Sequence, residues 1–345
     1  MVYFLIAVSV MIHLPVRPTT EGPTIPLTTD EIKAGWLALY DGVSDFGWLK
    51  EGEVEWSTGH IKLSGATSAS IASTSAFGSF DLIMEYRFEG GQGGFEFLYG
   101  DGQSKLTRTH EPKDQTIDRI EFHCPNMKKT DRIMIRTLPG TTLIIKSIKL
   151  KPLELKDIFN GKNLSGWKAV ENNQTKTQFS ITEAGELRLQ NGPGDLQTED
   201  SWDDFVLQLD VKSNGKHLNS GVFYRCLPGR FWSGYEAQIR NQWEGENRHK
   251  PVDFGTGGIY NRQPARVVVS NDHEYFKLTI IAHGTHMATW VNGYQVTDFT
   301  DKAKLGNNAR RGAKIEAGPI SLQGHDPTTD LSFKNIRITS LPKKQ

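Results

Sequence analysis

Hydrophobic residues recur at every second position through much of this chain. Leu82, Met84, Tyr86 and Phe88 share one face of an extended segment, as do Phe205, Leu207, Leu209 and Val211, and again Phe276, Leu278, Ile280 and Ala282. A period of two sends alternate side chains to opposite faces of a strand, so these segments predict half-buried strands with one face on a core. In residues 287–299, MATWVNGYQVTDF, the pair Asn292-Gly293 separates two such runs. Asn-Gly accepts the positive φ angles of a type I′ turn, which predicts a hairpin there. Helical periodicity is scarce, and Thr29 to Leu39, with Asp30 as its cap, is the best short candidate. Many short strands separated by Gly, Pro, Asn and Asp clusters make the fold class all-β, of the sandwich or jelly-roll kind.

Two halves of the chain repeat one another. LYDGVSDFGW (39–48) parallels IFNGKNLSGW (158–167), the segment 79–100 parallels 204–225, and TTLIIKSIKLKPL (141–153) parallels LSFKNIRITSLP (331–342), all in the same order. The expected organisation is two tandem β-sandwich domains, 30–153 and 155–343. The first copy is shorter and is read as lacking counterparts for most of the segment from Gly234 to His325, where the polar constellation sits. This makes it an accessory or binding domain.

Composition narrows the partners. The 345 residues carry 40 Lys plus Arg against 40 Asp plus Glu, so no net field attracts nucleic acid or an anionic membrane, and a neutral polar partner such as a sugar fits better. The apolar run from Val2 to about Ile12 is short for a bilayer span and near the length of a signal-peptide core. Residues 1–22 are therefore read as a signal peptide or short membrane anchor, with no stable membrane span beyond that segment and with export to the cell envelope or outside. Cys124 and Cys226 fall one in each half, which gives neither a disulfide framework nor metal-ligand spacing. Both are expected as buried apolar residues, and a single interdomain bridge is the alternative.

The residues with chemistry concentrate in the second half. Read as a strand, GYEAQIRN (234–241) puts Tyr235, Ala237 and Ile239 on the core face and aligns Glu236, Gln238 and Arg240 on the other. Such a row offers a sugar complementary donors and acceptors, and its carboxylate is a candidate general acid or base. A solvated strand face is the competing reading. HLNSGVFYR (217–225) places Phe223 and Arg225 on one face, so Arg225 is expected beside that row as a sugar or oxyanion ligand, or else in a structural ion pair. Asn219 belongs to the turn before it. DFGTGGIYNR (253–262) lacks the context of a dinucleotide or phosphate loop and reads as a loop leading to Tyr260. Trp232, Tyr235, Trp243 and Tyr260 suit stacking on sugar rings, with core packing as the alternative. His325, in a Gly-His-Asp-Pro turn, is a candidate proton carrier or metal ligand, although most loop histidines are neither. HExxH, Cys-x-x-Cys and GxSxG elements are absent from the sequence, which sets zinc peptidases and serine hydrolases aside.

Taken together, IFNGKNLSGW, DFVLQLDVK, NSGVFYR, GYEAQI, TGGIY, WVNGYQV and GPISLQGHDPTTDLSFKNIRI resemble the 3-keto-disaccharide hydrolase (DUF1080) family over nearly the whole second half. The resemblance implies a concanavalin A-like jelly roll and cleavage of glycosides already oxidised at sugar C3. By similarity Asn219, Arg225, Glu236, Gln238, Tyr260 and His325 fall in the family's recurrent motifs. TGGIY departs by a glycine where a small alanine is more frequent, and Asp272-His273 replaces a more usual Trp-Asn pair, which bears on substrate fit.

The expected function is an exported carbohydrate-active hydrolase or lyase acting on 3-keto-glycosides. Glu236 or His325 is the expected proton carrier, and Arg225 or a bound divalent cation the partner of the enolate oxygen. Asn219, Gln238, Arg240 and Tyr260 are expected to bind substrate. No cofactor beyond that possible cation is called for. A conventional glycosidase requires a second carboxylate across the bond, and the sequence offers no clear one. The rival class is a non-catalytic, lectin-like carbohydrate-binding protein, since sandwich folds host binding as readily as catalysis.

Overall fold

The computed structural model describes residues 22–90, 93–99, 104–110, 116–171 and 175–343. The predicted export segment lies outside the described residues except for Gly22. Among the described residues no helix is long and apolar enough to cross a membrane. Both cysteines are free and buried, and the alternative interdomain bridge is not formed.

The helix runs only over Thr29–Ala34 and its cap is Thr28, not Asp30. The Thr28 hydroxyl accepts the Glu31 N–H at 3.2 Å and the Glu31 carboxylate accepts the Thr28 N–H at 2.7 Å, a reciprocal capping box that Asp30 cannot make. It stops at Gly35 (φ 89°) because Leu37 and Ala38 are drawn into sheet pairing with Leu150 and Lys149.

Four antiparallel sheets form two tandem sandwiches. In the first, one sheet orders its strands Glu53–Ser57, His60–Ser64, Leu143–Pro152, Phe80–Phe88 and Asp118–Cys124, and faces a sheet of Trp48–Glu51, Ser70–Phe77, Asp131–Thr137, Gly93–Tyr99 and Ser104–His110. In the second, the sheet Gln178–Ile181, Leu187–Gln190, Asp330–Ser340, Phe205–Ser213, Tyr275–His283, His286–Val291 and Tyr294–Thr300 faces Trp167–Ala169, Gly194–Thr198, Ser321–Gly324, Ser220–Tyr224 and Tyr235–Ile239. The strand order of the two five-stranded sheets is the same.

The duplicated openings fold identically in detail. Trp48 Nε1 donates to the Leu39 carbonyl at 2.6 Å and Trp167 Nε1 to the Ile158 carbonyl at 2.7 Å, each spanning nine residues. Asp41 and Asn160 each accept two downstream N–H groups in the same local turn. The first copy keeps more than its sequence suggests. Ser104–His110 stands where Tyr235–Ile239 stands in the second, and what is missing is the 286–300 hairpin and the long loops after Ile239 and Thr300. In that hairpin Asn292 (φ 51°) and Gly293 (φ 74°) form the predicted turn between paired Val291 and Tyr294.

The alternating strands of the second sandwich are not half-buried. Leu207, Leu209 and Val211 face its own core, while Val206, Ile281, Ala288 and Trp290 on the opposite face join the core of the first domain. Each aliphatic side chain enclosed this way contributes on the order of 1.5–3 kcal/mol. Several polar groups pair across this seam: Gln208 donates to Gly35 O (2.9 Å), Arg266 to Asp41 (2.7 Å), and the Ala38 N–H to Gly293 O (2.9 Å). The seam occupies one sheet of the second sandwich and leaves the outer face of its five-stranded sheet for other use.

Candidate functional site

The five-stranded sheet of the second sandwich turns Leu196, Val222, Tyr224, Ala237, Ile239 and Leu322 into the core. Strand alternation then commits Asp195, Gln197, Phe223, Glu236, Gln238, Ser321 and Gln323 to the other face. Asp195 lies opposite Gln323, Ser321 opposite Phe223, Phe223 opposite Glu236, and Gly221 opposite Gln238. An uncovered polar face would be wet. Here Glu236 is 3% exposed, Gln238 1% and Asp195 0%, so the solvated-face reading is overturned. Three loops cover them: 227–233 bonds Asp195 and Gln197, 240–270 brings Asp253 onto Gln238, and 302–311 brings Arg310 onto Glu236.

Glu236 is the centre of this buried face. Its Oε2 accepts from Arg310 Nη2 at 2.7 Å. The guanidinium lies 4.9 Å from the ring centres of Phe223 and Trp232 and 5.6 Å from that of Tyr260, an aromatic cage open at the carboxylate. Burial raises the Glu236 pKa; the Arg310 bond and charge and the His325 ring oppose this, and the neighbouring Asp253 adds to it. A cleft of about 250 Å³ opens beside the cage between Tyr260, Asn261, Arg262, Ala309 and Arg310.

The backbone makes room for this carboxylate. A Cβ at residue 221 would lie 2.6 Å from Glu236 Oε1 and 2.7 Å from its Cγ. Gly221→Ala is therefore expected to destabilise the protein by about 1–3 kcal/mol through overpacking, read as a lowered midpoint in denaturant melts.

Beside Glu236 lies an amide–acid knot. Asp253 Oδ2 accepts from Asn219 Nδ2 and Gln238 Nε2, each at 2.9 Å, and Gln238 Nε2 also reaches Asn219 Oδ1 at 3.1 Å. Asp253 and Phe254 both adopt left-handed φ (49° and 67°), a costly conformation held by the surrounding loop. That loop docks as an edge on the site strand, through Gln238 N–H to Gly258 O (2.8 Å) and Tyr260 N–H to Glu236 O (3.0 Å). His325 joins from the far side, with Nε2 3.4 Å from Asn219 Nδ2 and Nδ1 2.9 Å from Asp326 Oδ2. If the amide donates to Nε2, the ring proton sits on Nδ1 toward Asp326 and a lone pair faces the site.

The structure thus gathers Asn219, Glu236, Gln238, Tyr260 and His325, but not Arg225 or Arg240. The Ser220–Tyr224 strand ends one residue before Arg225, whose left-handed φ of 52° swings it off the expected face. Its guanidinium is fully buried elsewhere, donating to Asp203 O, Gly284 O, Lys314 O and Asp204 Oδ1 at 2.6–3.0 Å. Of the two roles read for it, the ion pair is what the structure holds. Arg240, one residue past its own strand, donates from Nε to Gln242 Oε1 at 2.9 Å. Among the aromatic candidates, Tyr235 is a core residue stacked on Tyr224, and Trp243 lies under the Arg248 guanidinium at 4.0 Å.

Three residues escaped the sequence reading: Arg310, Asp253 and Asp195. Arg310 and Asp253 sit in loops without periodicity. Asp195 had a signal, because GDLQT alternates polar and apolar residues as GYEAQI does. Its Oδ2 accepts the Trp232 N–H at 2.8 Å, and burial pushes its carboxyl up to about 7, against the pull of that hydrogen bond. Among the described residues no three His, Cys, Asp or Glu side chains converge as metal ligands. The donor set does not fit the divalent cation considered from sequence, and a guanidinium occupies the place beside the acid.

A family model described as a 3-keto-alpha-glucoside-1,2-lyase-like domain matches residues 154–339, a span that contains this whole cluster. Two solved proteins assigned as glycosyl hydrolases, both from Parabacteroides distasonis ATCC 8503, are similar in structure. One is 21% identical, with 54% of this chain and 94% of that one aligned and a TM-score of 0.44. The other is 25% identical over 55% and 100% of the two chains, with a TM-score of 0.43. The carbohydrate-binding module CBM66 from Bacillus subtilis is 16% identical over 52% and 98%, with a TM-score of 0.38. Among curated proteins there is no match. Because the family match takes in more than half of the chain, this protein belongs to the 3-keto-alpha-glucoside-1,2-lyase-like family, a carbohydrate-active family.

Proposed function

We propose that the second domain cleaves 3-keto-glucosides by proton abstraction at C2 and elimination of the C1 substituent. The observation that carries this reading is the buried Glu236 carboxylate joined to Arg310 within an aromatic cage, inside the family domain. A ketone at C3 acidifies the C2 proton. Glu236 takes that proton, and the electron pair of the C2–H bond moves onto the C3 oxygen as an enolate. The positive charge of Arg310, held in a water-poor cage, stabilises that oxygen. The enolate then reforms the ketone as the C1–O bond breaks, leaving a C1=C2 double bond. His325, once it carries a proton on Nε2 as well as the Nδ1–H held by Asp326, gives that Nε2 proton to the departing oxygen and returns to the neutral ring. Water adding at C1 across the enone turns the elimination into a net hydrolysis. Asn219, Gln238 and Tyr260 orient the sugar; Gln238 Oε1 is buried without a hydrogen-bond partner and is available to a sugar hydroxyl.

The test is to incubate the full chain with a 3-keto-α-glucoside and its unoxidised parent, following aglycone release and deuterium exchange at C2. Release and exchange from the keto substrate alone are expected. Release from the unoxidised parent at a similar rate would argue for ordinary glycoside hydrolysis instead, and binding without turnover of either for a lectin-like role.

A further inference from the structure

Among the described residues Trp232 is the one exposed tryptophan, 49% accessible, where its counterparts are buried or partly buried. It also holds a left-handed φ of 52°, a conformation that bulky aromatic residues seldom adopt. An exposed ring gains nothing from the core that would hold such a backbone. The restraint comes from the strand beneath. Asp195, completely buried, accepts the Trp232 N–H at 2.8 Å and keeps its other oxygen without a hydrogen-bond partner. Gln197, two residues along on the same face, accepts the Gly229 N–H at 2.9 Å and donates to Arg230 O at 3.2 Å. Two buried side chains thus fix the turn that carries one exposed indole.

The ring is fixed in a particular place. It packs against the Arg310 guanidinium, 4.9 Å from the ring centre, and the same guanidinium bonds Glu236. The indole and the Glu236 carboxylate therefore flank one and the same guanidinium. A rigid, half-open aromatic surface there matches the flat C–H face of a pyranose or the ring of an aromatic aglycone.

We propose that Trp232 is the stacking platform for the second ring of the substrate, the one that departs, and that Asp195 is the residue that positions it. This rests on Glu236 marking the reacting sugar. Calorimetric titration of the full chain with methyl α-glucoside, maltose and phenyl α-glucoside tests it without requiring turnover. The wild-type protein is expected to bind one or both two-ring ligands about tenfold more tightly than the methyl glucoside. Which of the two is preferred decides between a sugar and an aromatic leaving group. Trp232→Ala removes the preference, and Trp232→Phe, which keeps an aromatic face against Arg310, restores most of it. Asp195→Ala weakens the preference, while Asp195→Asn, whose amide oxygen still accepts the N–H, retains it. Equal affinity for all three ligands, equal weakening of all three by Trp232→Ala, or no binding at all overturns the assignment. Turnover of a methyl 3-keto-α-glucoside, measured in parallel, judges the chemical reading separately: inactivity there beside an intact two-ring preference rejects the chemistry and keeps the platform.

Discussion

Glu236→Gln is expected to lower turnover of a 3-keto-glucoside by about 10²–10⁴-fold, the range associated with removing a general base. Glutamine has the same shape, and its amide oxygen can still accept from Arg310, so substrate affinity is expected to change little. What it cannot do is hold the C2 proton. The pH profile provides a second signature. Burial raises the Glu236 pKa, and the base works only when ionised, so wild-type activity climbs as pH rises through that elevated value. In the variant this rising limb disappears. The stability sign runs the other way. A carboxyl with a folded pKa above its unfolded one binds its proton more tightly when folded, so ionising it costs stability as pH rises. The glutamine variant escapes that cost and is expected to melt no lower than wild type at neutral pH. Near-wild-type turnover in a correctly folded variant would remove Glu236 from the mechanism and leave His325 as the base.

The second large effect separates structure from chemistry. Arg225→Ala is expected to destabilise the protein by about 3–5 kcal/mol, as breaking a buried ion pair does. Asp204 loses its charged partner, and the carbonyls of Asp203, Gly284 and Lys314 lose their donors. These groups come from three segments of the second domain, and the arginine ties the Lys314 loop to the end of the paired Phe205–Ser213 and Tyr275–His283 strands. A shifted denaturant midpoint with unchanged slope is the expected readout. If Arg225→Ala instead folded with wild-type stability and lost turnover, the catalytic reading of this residue would return.

These two residues also show what kind of information the chain carries locally. Both sit in segments that resemble family motifs, and both were drawn to one face by counting alternate positions. For Glu236 the counting holds, since Tyr235–Ile239 is continuous strand. For Arg225 it fails because the strand ends at Tyr224 and the next residue is left-handed. Alternation is reliable only while backbone geometry stays regular, and strand ends are set by what packs nearby.

Pattern in the sequence was enough to determine the all-β class, the duplicated openings, the Asn292-Gly293 turn and the face shared by Glu236 and Gln238. Each depends on residues close together in the chain and on steric preferences of the backbone that act locally. Tertiary structure alone decided that the strands around Val206 and Ile281 are buried on both faces, that the polar row is covered, and that Arg310 rather than Arg225 meets Glu236. Arg310 and Glu236 are 74 residues apart, on a loop and a strand. A periodic pattern states which way a side chain points but not what lies opposite it, because burial, ion pairing and the pKa of an acid are properties of the groups that the fold brings into contact.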